Sequence, residues 1–256
     1  MNQERLQQLL DEKAAQYNSG AFIADDPVSI PHRFSLRQDI EIAGLFAATL
    51  AWGNRKAIIN SSRKLLQLMD DAPYQFVLHF REKDMKPFVH FAHRTFNGTD
   101  ACYFLYFLQQ HYKQYDSLEA AFFSRANSEN PVADGLNAFR RYFFTSEYAP
   151  ERTRKHIAAP ERGSACKRLN MFLRWMIRKD HAGVDFGLWS AISPSELICP
   201  LDVHVSRIAR NLGLLNRKQN DWEAALELTR TLRLFDPEDP VKYDYVLFGM
   251  GVTEKF

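Results

Sequence analysis

Apolar residues recur at helical spacing along almost the whole chain, and strict alternation is nearly absent, so the sequence demands an all-α fold. One segment sets its centre. From Ile40 to Trp52 the residues are almost wholly apolar, and a helix without a polar face has to be wrapped by others. Ser35-Leu36-Arg37-Gln38 reads as the capping box that starts it. After the interruption Gly53-Asn54-Arg55-Lys56, Ile58, Ile59, Leu65, Leu66 and Met69 restore a stripe that ends near Asp70-Asp71-Ala72-Pro73. Around 3–17, Leu6, Leu9, Leu10, Ala14 and Tyr17 form another. Further helices are expected near 74–81, 100–115, 117–124, 131–145, 164–179, 203–212, 221–234 and 240–250. Tyr103-Phe104-Leu105-Tyr106-Phe107-Leu108 could pass for a buried strand, but its flanks make it part of an aromatic-rich core helix. Asn220 with Glu223, Ser164, and Asp239-Pro240 supply further start signals.

With 256 residues, 46% hydrophobic and 25% charged, the chain can bury a sizeable core. The expected organisation is one compact, two-lobed helical unit over 1–256. Its central lobe covers roughly 35–150, a hairpin and catalytic segment roughly 151–215, and C-terminal helices 216–256 pack back on the lobes. The polar stretch 146–163, with Pro150, Pro160 and Gly163, is the best candidate for a boundary. No run approaches the roughly 18 apolar residues of a membrane span, and Met1-Asn2-Gln3-Glu4-Arg5 lacks the pattern of a secretion signal. A cytoplasmic location with no membrane partner follows. Cys102, Cys166 and Cys199 stand without metal-ligand spacing, so no disulfide framework, metal or cofactor is expected, and the cysteines read as free thiols.

Charge is segregated along a nearly neutral chain. Residues 151–180 hold nine Lys and Arg against three Asp and Glu, and 219–244 hold seven Asp and Glu against three Lys and Arg. A phosphate-binding face beside an acidic surface is one reading, and solvated helix faces are the other. Between the two segments lies the block from Pro200 to Leu214. Asp202 takes an N-cap position, Val205, Ile208, Ala209 and Leu212 recur at helical spacing, and Gly213 supplies a left-handed stop. His204, Arg207 and Arg210 crowd the helix that Asp202 opens.

The segment from Gly163 to Leu214 resembles the helix-hairpin-helix DNA glycosylase superfamily, which contains endonuclease III and the oxidised-guanine glycosylases. The whole chain is similar to an uncharacterised bacterial family within it, through Leu169-Asn170-Met171-Phe172-Leu173-Arg174-Trp175, Pro200-Leu201-Asp202-Val203-His204-Val205 and the run Arg233 to Tyr245. The resemblance implies a two-lobed helix-hairpin-helix fold. It makes Asp202 both cap and catalytic carboxylate, and it puts Lys167 where bifunctional members carry a lysine nucleophile. That residue would lie in the first turn of the basic helix, where the helix dipole disfavours an ammonium. A surface lysine on a basic helix is the plain alternative. Lys167 and Asp202 are separated more widely than in endonuclease III, because His181 to Cys199 is an extra segment, and archaeal oxidised-guanine glycosylases carry a comparable lengthening.

The hairpin departs from the family pattern. Pro160-Glu161-Arg162-Gly163-Ser164 offers one glycine instead of two, so Arg162, the free amides near Gly163 and Ser164 and the helix dipole would hold the phosphate. Asn54, Arg55 and Lys56 fall where members place a polar loop that fills the gap left by an extruded base. His204 and Arg207 are further DNA contacts. Trp52, Trp175 and Trp189 are candidates for the base pocket, although in a chain with 13% aromatic residues a plain core role is the commoner one for each. The resemblance thus implies a monomeric base-excision repair glycosylase with AP lyase activity on double-stranded DNA holding a damaged base, leaning toward an oxidised purine, nucleoid-associated when acting. A non-catalytic DNA-binding protein that keeps the fold is the alternative.

Overall fold

A computed structural model describes residues 3–123 and 128–253. The fold is all-α, with helices α1 (Gln3–Tyr17), α2 (Gly20–Ile23), α3 (Arg37–Leu50), α4 (Arg55–Gln67), α5 (Pro73–His79), α6 (Gly98–Tyr112), α7 (Glu119–Phe122), α8 (Pro131–Phe143), α9 (Lys167–Ile177), α10 (Val203–Asn211), α11 (Trp222–Arg233) and α12 (Asp244–Thr253). A two-stranded antiparallel hairpin, β1 (Ala92–His93) and β2 (Phe96–Asn97), lies before α6. None of the described helices is long and apolar enough to cross a membrane. Two compact units emerge. One gathers the described residues up to Ala24, Glu129–Ala133 and those from Ala159 onward, and the other gathers Asp25–Ser128 and Asp134–Ala158. The passage at 158/159 lies inside the polar stretch 146–163.

In the unit that begins at Asp25, α3 is buried from Ile40 to Leu50. α4 and α5 pack against it. The aromatic run of α6 is helical and central, with Phe104 edge-on to Phe143 and Phe107 tilted against it, at 4.8 and 4.4 Å between ring centroids. Two buried carboxylates fasten this apolar mass. Glu41, fully buried on α3, accepts hydrogen bonds from Tyr112 Oη (2.8 Å), Ser117 Oγ (2.6 Å) and Leu118 N (2.9 Å), with Arg37 Nε at 3.2 Å. Asp100, in the first turn of α6, takes Arg152 Nη1 (2.7 Å) and Thr153 Oγ1 (2.8 Å). Buried charge survives only where such partners replace water.

In the other unit, α12 packs on α1 and α10. Glycines permit the close approach. A Cβ at Gly249 would stand 2.7 Å from the Tyr17 ring, and one at Gly251 would stand 3.0 Å from His204 Cβ. α9 is buried from Leu169 to Ile177.

Several helix starts differ from the sequence reading because side chains found other work. α3 begins at Arg37, with Leu36 at the N-cap position and no side-chain cap, so Ser35 makes no capping box, and the helix ends at Leu50. α9 begins at Lys167, three residues after Ser164, because Cys166 takes a left-handed conformation (φ 52°). Asp221, one residue after the expected Asn220, caps α11 by accepting Ala224 N at 3.0 Å. Asn220 instead accepts from Arg210 Nη2 (2.7 Å) and donates to Ser206 Oγ (3.0 Å). Asp239 precedes a short 3-10 turn (Pro240–Tyr243) and caps nothing, since its carboxylate faces Arg178.

Replacing Glu41 with Ala strands three donors at once, two of them buried. A loss of about 3 kcal/mol in unfolding free energy is expected, read as a lower urea midpoint at unchanged slope. A midpoint within experimental error of wild type would show that Glu41 fastens nothing.

Candidate active site

Asp202 has the conformation and bonding of an N-cap: its Oδ1 accepts His204 N (2.9 Å) and Val205 N (3.0 Å). That arrangement fixes the carboxylate and leaves Oδ2 directed elsewhere. Oδ2 lies 3.7 Å from Lys167 Nζ, and both side chains keep about a quarter of their surface exposed, 24% and 21%. Lys167 is the first residue of α9. Two helix beginnings, thirty-five residues apart in sequence, therefore deliver an amine and a carboxylate to one point. A partly exposed ion pair contributes about 1 kcal/mol or less to stability, so stability gives little reason for the pairing. The Phe248 ring lies 5.9 Å from the amine.

Beneath the pair runs a ladder of charge. Lys167, Arg174 and Arg178 succeed one another along one side of α9, at seven- and four-residue intervals. Arg174 bonds the Asp244 carboxylate and stands 3.4 Å from Asp185. Arg178 reaches Asp185 (2.9 Å), Asp180 (2.6 Å) and Asp239 (2.9 Å). Burial disfavours the Arg178 cation, but Asp185 and Asp239 overcome it and raise its pKa. Asp244, opening α12, is the carboxylate of the ladder that feels the site above. Burial pushes its pKa up to about 6 against the pull of Arg174, with Asp202 raising it further and Lys167 lowering it. Cys199 Sγ sits 4.0 Å from Asp244 Oδ1, and burial, reinforced by that carboxylate, holds the thiol well above its usual range.

The ladder bears on the two readings of the segregated charge. Arg174 and Arg178 of the basic segment pair with Asp244 and Asp239 of the acidic one, and Arg152 turns to Asp100. That part of the contrast is internal. Of the other sequence candidates, Arg162 is exposed at the end of a 3-10 turn, and Gly163 closes that turn in a left-handed conformation (φ 74°). Its carbonyl accepts Trp222 N at 3.2 Å, and Ser164 forms a bridge with Asp221. His204 is exposed beside Asp202, whereas Arg207 donates to the Gly251 carbonyl (2.9 Å) and ties α10 to α12. In the other unit, Asn54 caps α4 through Ala57 N (3.1 Å), and Arg55 and Lys56 follow in the first turn. Trp175 and Trp189 are buried, at 0% and 3% exposure, so neither presents an open face, while Trp52 is 49% exposed. Sequence reasoning missed Arg174, Asp185 and Cys199 as members of the network around Asp244. The spacing of Arg174 from Lys167 was the available signal for the first.

A raised carboxylate pKa means that folding favours the protonated form. The associated stability is complete below about pH 3.8, the usual value, and is lost as pH rises through about 6. Relative to Asp244→Asn, the wild-type protein is expected to lose on the order of 3 kcal/mol between pH 3.5 and 7, measured by urea unfolding across that range. Parallel profiles for the two proteins would show that Asp244 titrates normally.

No curated protein and no solved structure gives a significant match to the chain. Residues 26–253, nearly the whole length and including the Lys167–Asp202 pair and its ladder, match the family described as "Protein of unknown function (DUF2400)", and the chain belongs to that family.

Proposed function

We propose that the protein is a base-excision DNA glycosylase of the helix-hairpin-helix kind, with AP lyase activity on double-stranded DNA that holds a damaged base. An oxidised purine is the lesion class toward which the sequence resemblance leans. The observation that carries this reading is the 3.7 Å approach of Lys167 Nζ to a carboxylate already fixed by its helix cap. Excision needs those two groups at one point. As the bond between the sugar's anomeric carbon and the base breaks, its electron pair leaves with the base and positive charge develops on the sugar. The Asp202 carboxylate stabilises that charge. Lys167, after giving its ammonium proton to water, adds its amine to the anomeric carbon; the nitrogen passes a further proton to the ring oxygen as the ring opens, leaving a protonated imine, and loss of a C2′ proton to water then expels the 3′ phosphate by elimination. The cap holds the carboxylate in place throughout, so Asp202 need not reorganise.

Borohydride reduction in the presence of duplex DNA with an abasic site should trap a covalent adduct with wild-type protein. Lys167→Ala should abolish it. Asp202→Asn should lower excision of the damaged base by about 10²-fold or more while DNA binding is retained. An undiminished adduct in Lys167→Ala would remove the lyase claim. Binding without any adduct or excision across defined lesions would leave a non-catalytic DNA-binding protein.

A further inference from the structure

In the unit formed by Asp25–Ser128 and Asp134–Ala158, the end of α3 builds a surface feature that the lysine–aspartate pair does not use. The chain leaves the core at Leu50 and turns sharply, with Trp52 N bonded to Leu50 O at 2.6 Å and Gly53 at φ 106°. The turn pushes an indole outward. Trp52 is 49% exposed, while Trp175, Trp189 and Trp222 are 0%, 3% and 7% exposed.

The Arg94 guanidinium lies over the Trp52 ring, 4.3 Å from its centroid. Arg94 occupies the β1–β2 turn with φ 53°, a left-handed conformation that costs a residue with a Cβ. The rest of the hairpin is anchored, since His93 Nδ1 lies 2.9 Å from Ser61 Oγ on α4. A Cβ at Gly53 would collide with the Arg94 guanidinium, so the left-handed glycine is what lets the cation sit there.

The surroundings are cationic. α4 carries Arg55, Lys56, Arg63 and Lys64 and no carboxylate. Lys56, Arg63 and Lys64 are exposed, as is Arg94. Asn54, expected from the sequence to fill a gap in a duplex, is already committed to capping α4. A planar aromatic face beside a row of phosphate-binding side chains is the surface that receives an unpaired base, because every base has a face to stack and its strand carries the phosphates. A guanidinium over an indole has the shape and stacking mode of the base it would yield to.

We infer that Trp52 is a stacking platform for an unpaired nucleobase in DNA, and that Arg94 holds the platform until the base takes its place and the guanidinium moves to a phosphate. The choice of DNA rests on the function proposed above. The stacking surface itself does not depend on Lys167 or Asp202.

Intrinsic fluorescence of the full-length protein tests this, because Trp52 is the exposed indole. A duplex with a tetrahydrofuran abasic analogue should quench an emission component that Trp52→Phe lacks, and a fully paired duplex of the same sequence should quench it much less. Trp52→Ala should weaken binding to the abasic duplex about tenfold, within the 1–3 kcal/mol typical of base stacking, with little change toward the paired duplex. Arg94→Gln should reduce the salt dependence of binding by about one phosphate contact. The inference is overturned if Trp52 emission is unchanged at DNA saturation, as judged by anisotropy of labelled DNA. Equal quenching by polyglutamate would also overturn it, since an acidic protein surface would then be the partner. A trapped adduct without a Trp52 response sinks this inference and leaves the glycosylase reading, and a Trp52 response without an adduct does the reverse.

Discussion

Arg174 and Arg178 cannot be buried without carboxylates, and that constraint organises the unit that holds the candidate site. Asp185 takes both guanidiniums, Asp244 takes the first, and Asp180 and Asp239 take the second. Those acids come from the chain just after α9, from the residue before the 3-10 turn Pro240–Tyr243 and from the start of α12, so the two cations draw distant segments together. Removing one member of such a network leaves uncompensated buried charge, a loss on the order of 3–5 kcal/mol. Asp244 belongs to both systems: it is bonded to Arg174 and coupled electrostatically to the Lys167–Asp202 pair above.

The exposed pair and the buried ladder divide the work of α9. Its first residue is left partly open to meet the Asp202 carboxylate, and residues further along the same side are sealed in the core. A rigid, buried scaffold under two partly exposed groups is what preorganised chemistry requires, because the groups then keep their positions as charge develops. The cap at Asp202 contributes in the same way. One carboxylate oxygen orders the backbone of α10, and the other is left for the amine.

Much of the fold was legible in the sequence, for identifiable reasons. Helix-period apolar patterns placed α1, α3, α6, α8 and α10 nearly where they lie, and the aromatic run of α6 was correctly read as helix because its flanks continue the period. Starts were less legible. Ser35, Ser164 and Asn220 are good caps by type, yet Leu36, Cys166 and Asp221 hold those positions. Tertiary hydrogen bonds decided the last case, since Arg210 and Ser206 engage Asn220. Within the site, the Asp202 cap and the first-turn place of Lys167 followed from local pattern. The Arg174–Asp244 and Arg178–Asp239 pairs did not, because charges paired across sixty or seventy residues look in sequence like separate basic and acidic surfaces. Trp52 was legible as an aromatic but not as an exposed one, since Gly53 and Arg94 set its environment.

The central claim is that the Lys167 amine is the group that attacks the sugar. Borohydride-reduced adduct, formed with wild-type protein on abasic DNA, can be digested with nuclease and protease and its peptides sequenced by mass spectrometry. A sugar remnant on the side chain of Lys167 is the expected result. A remnant on any other amine, with Lys167 unmodified, would contradict the assignment.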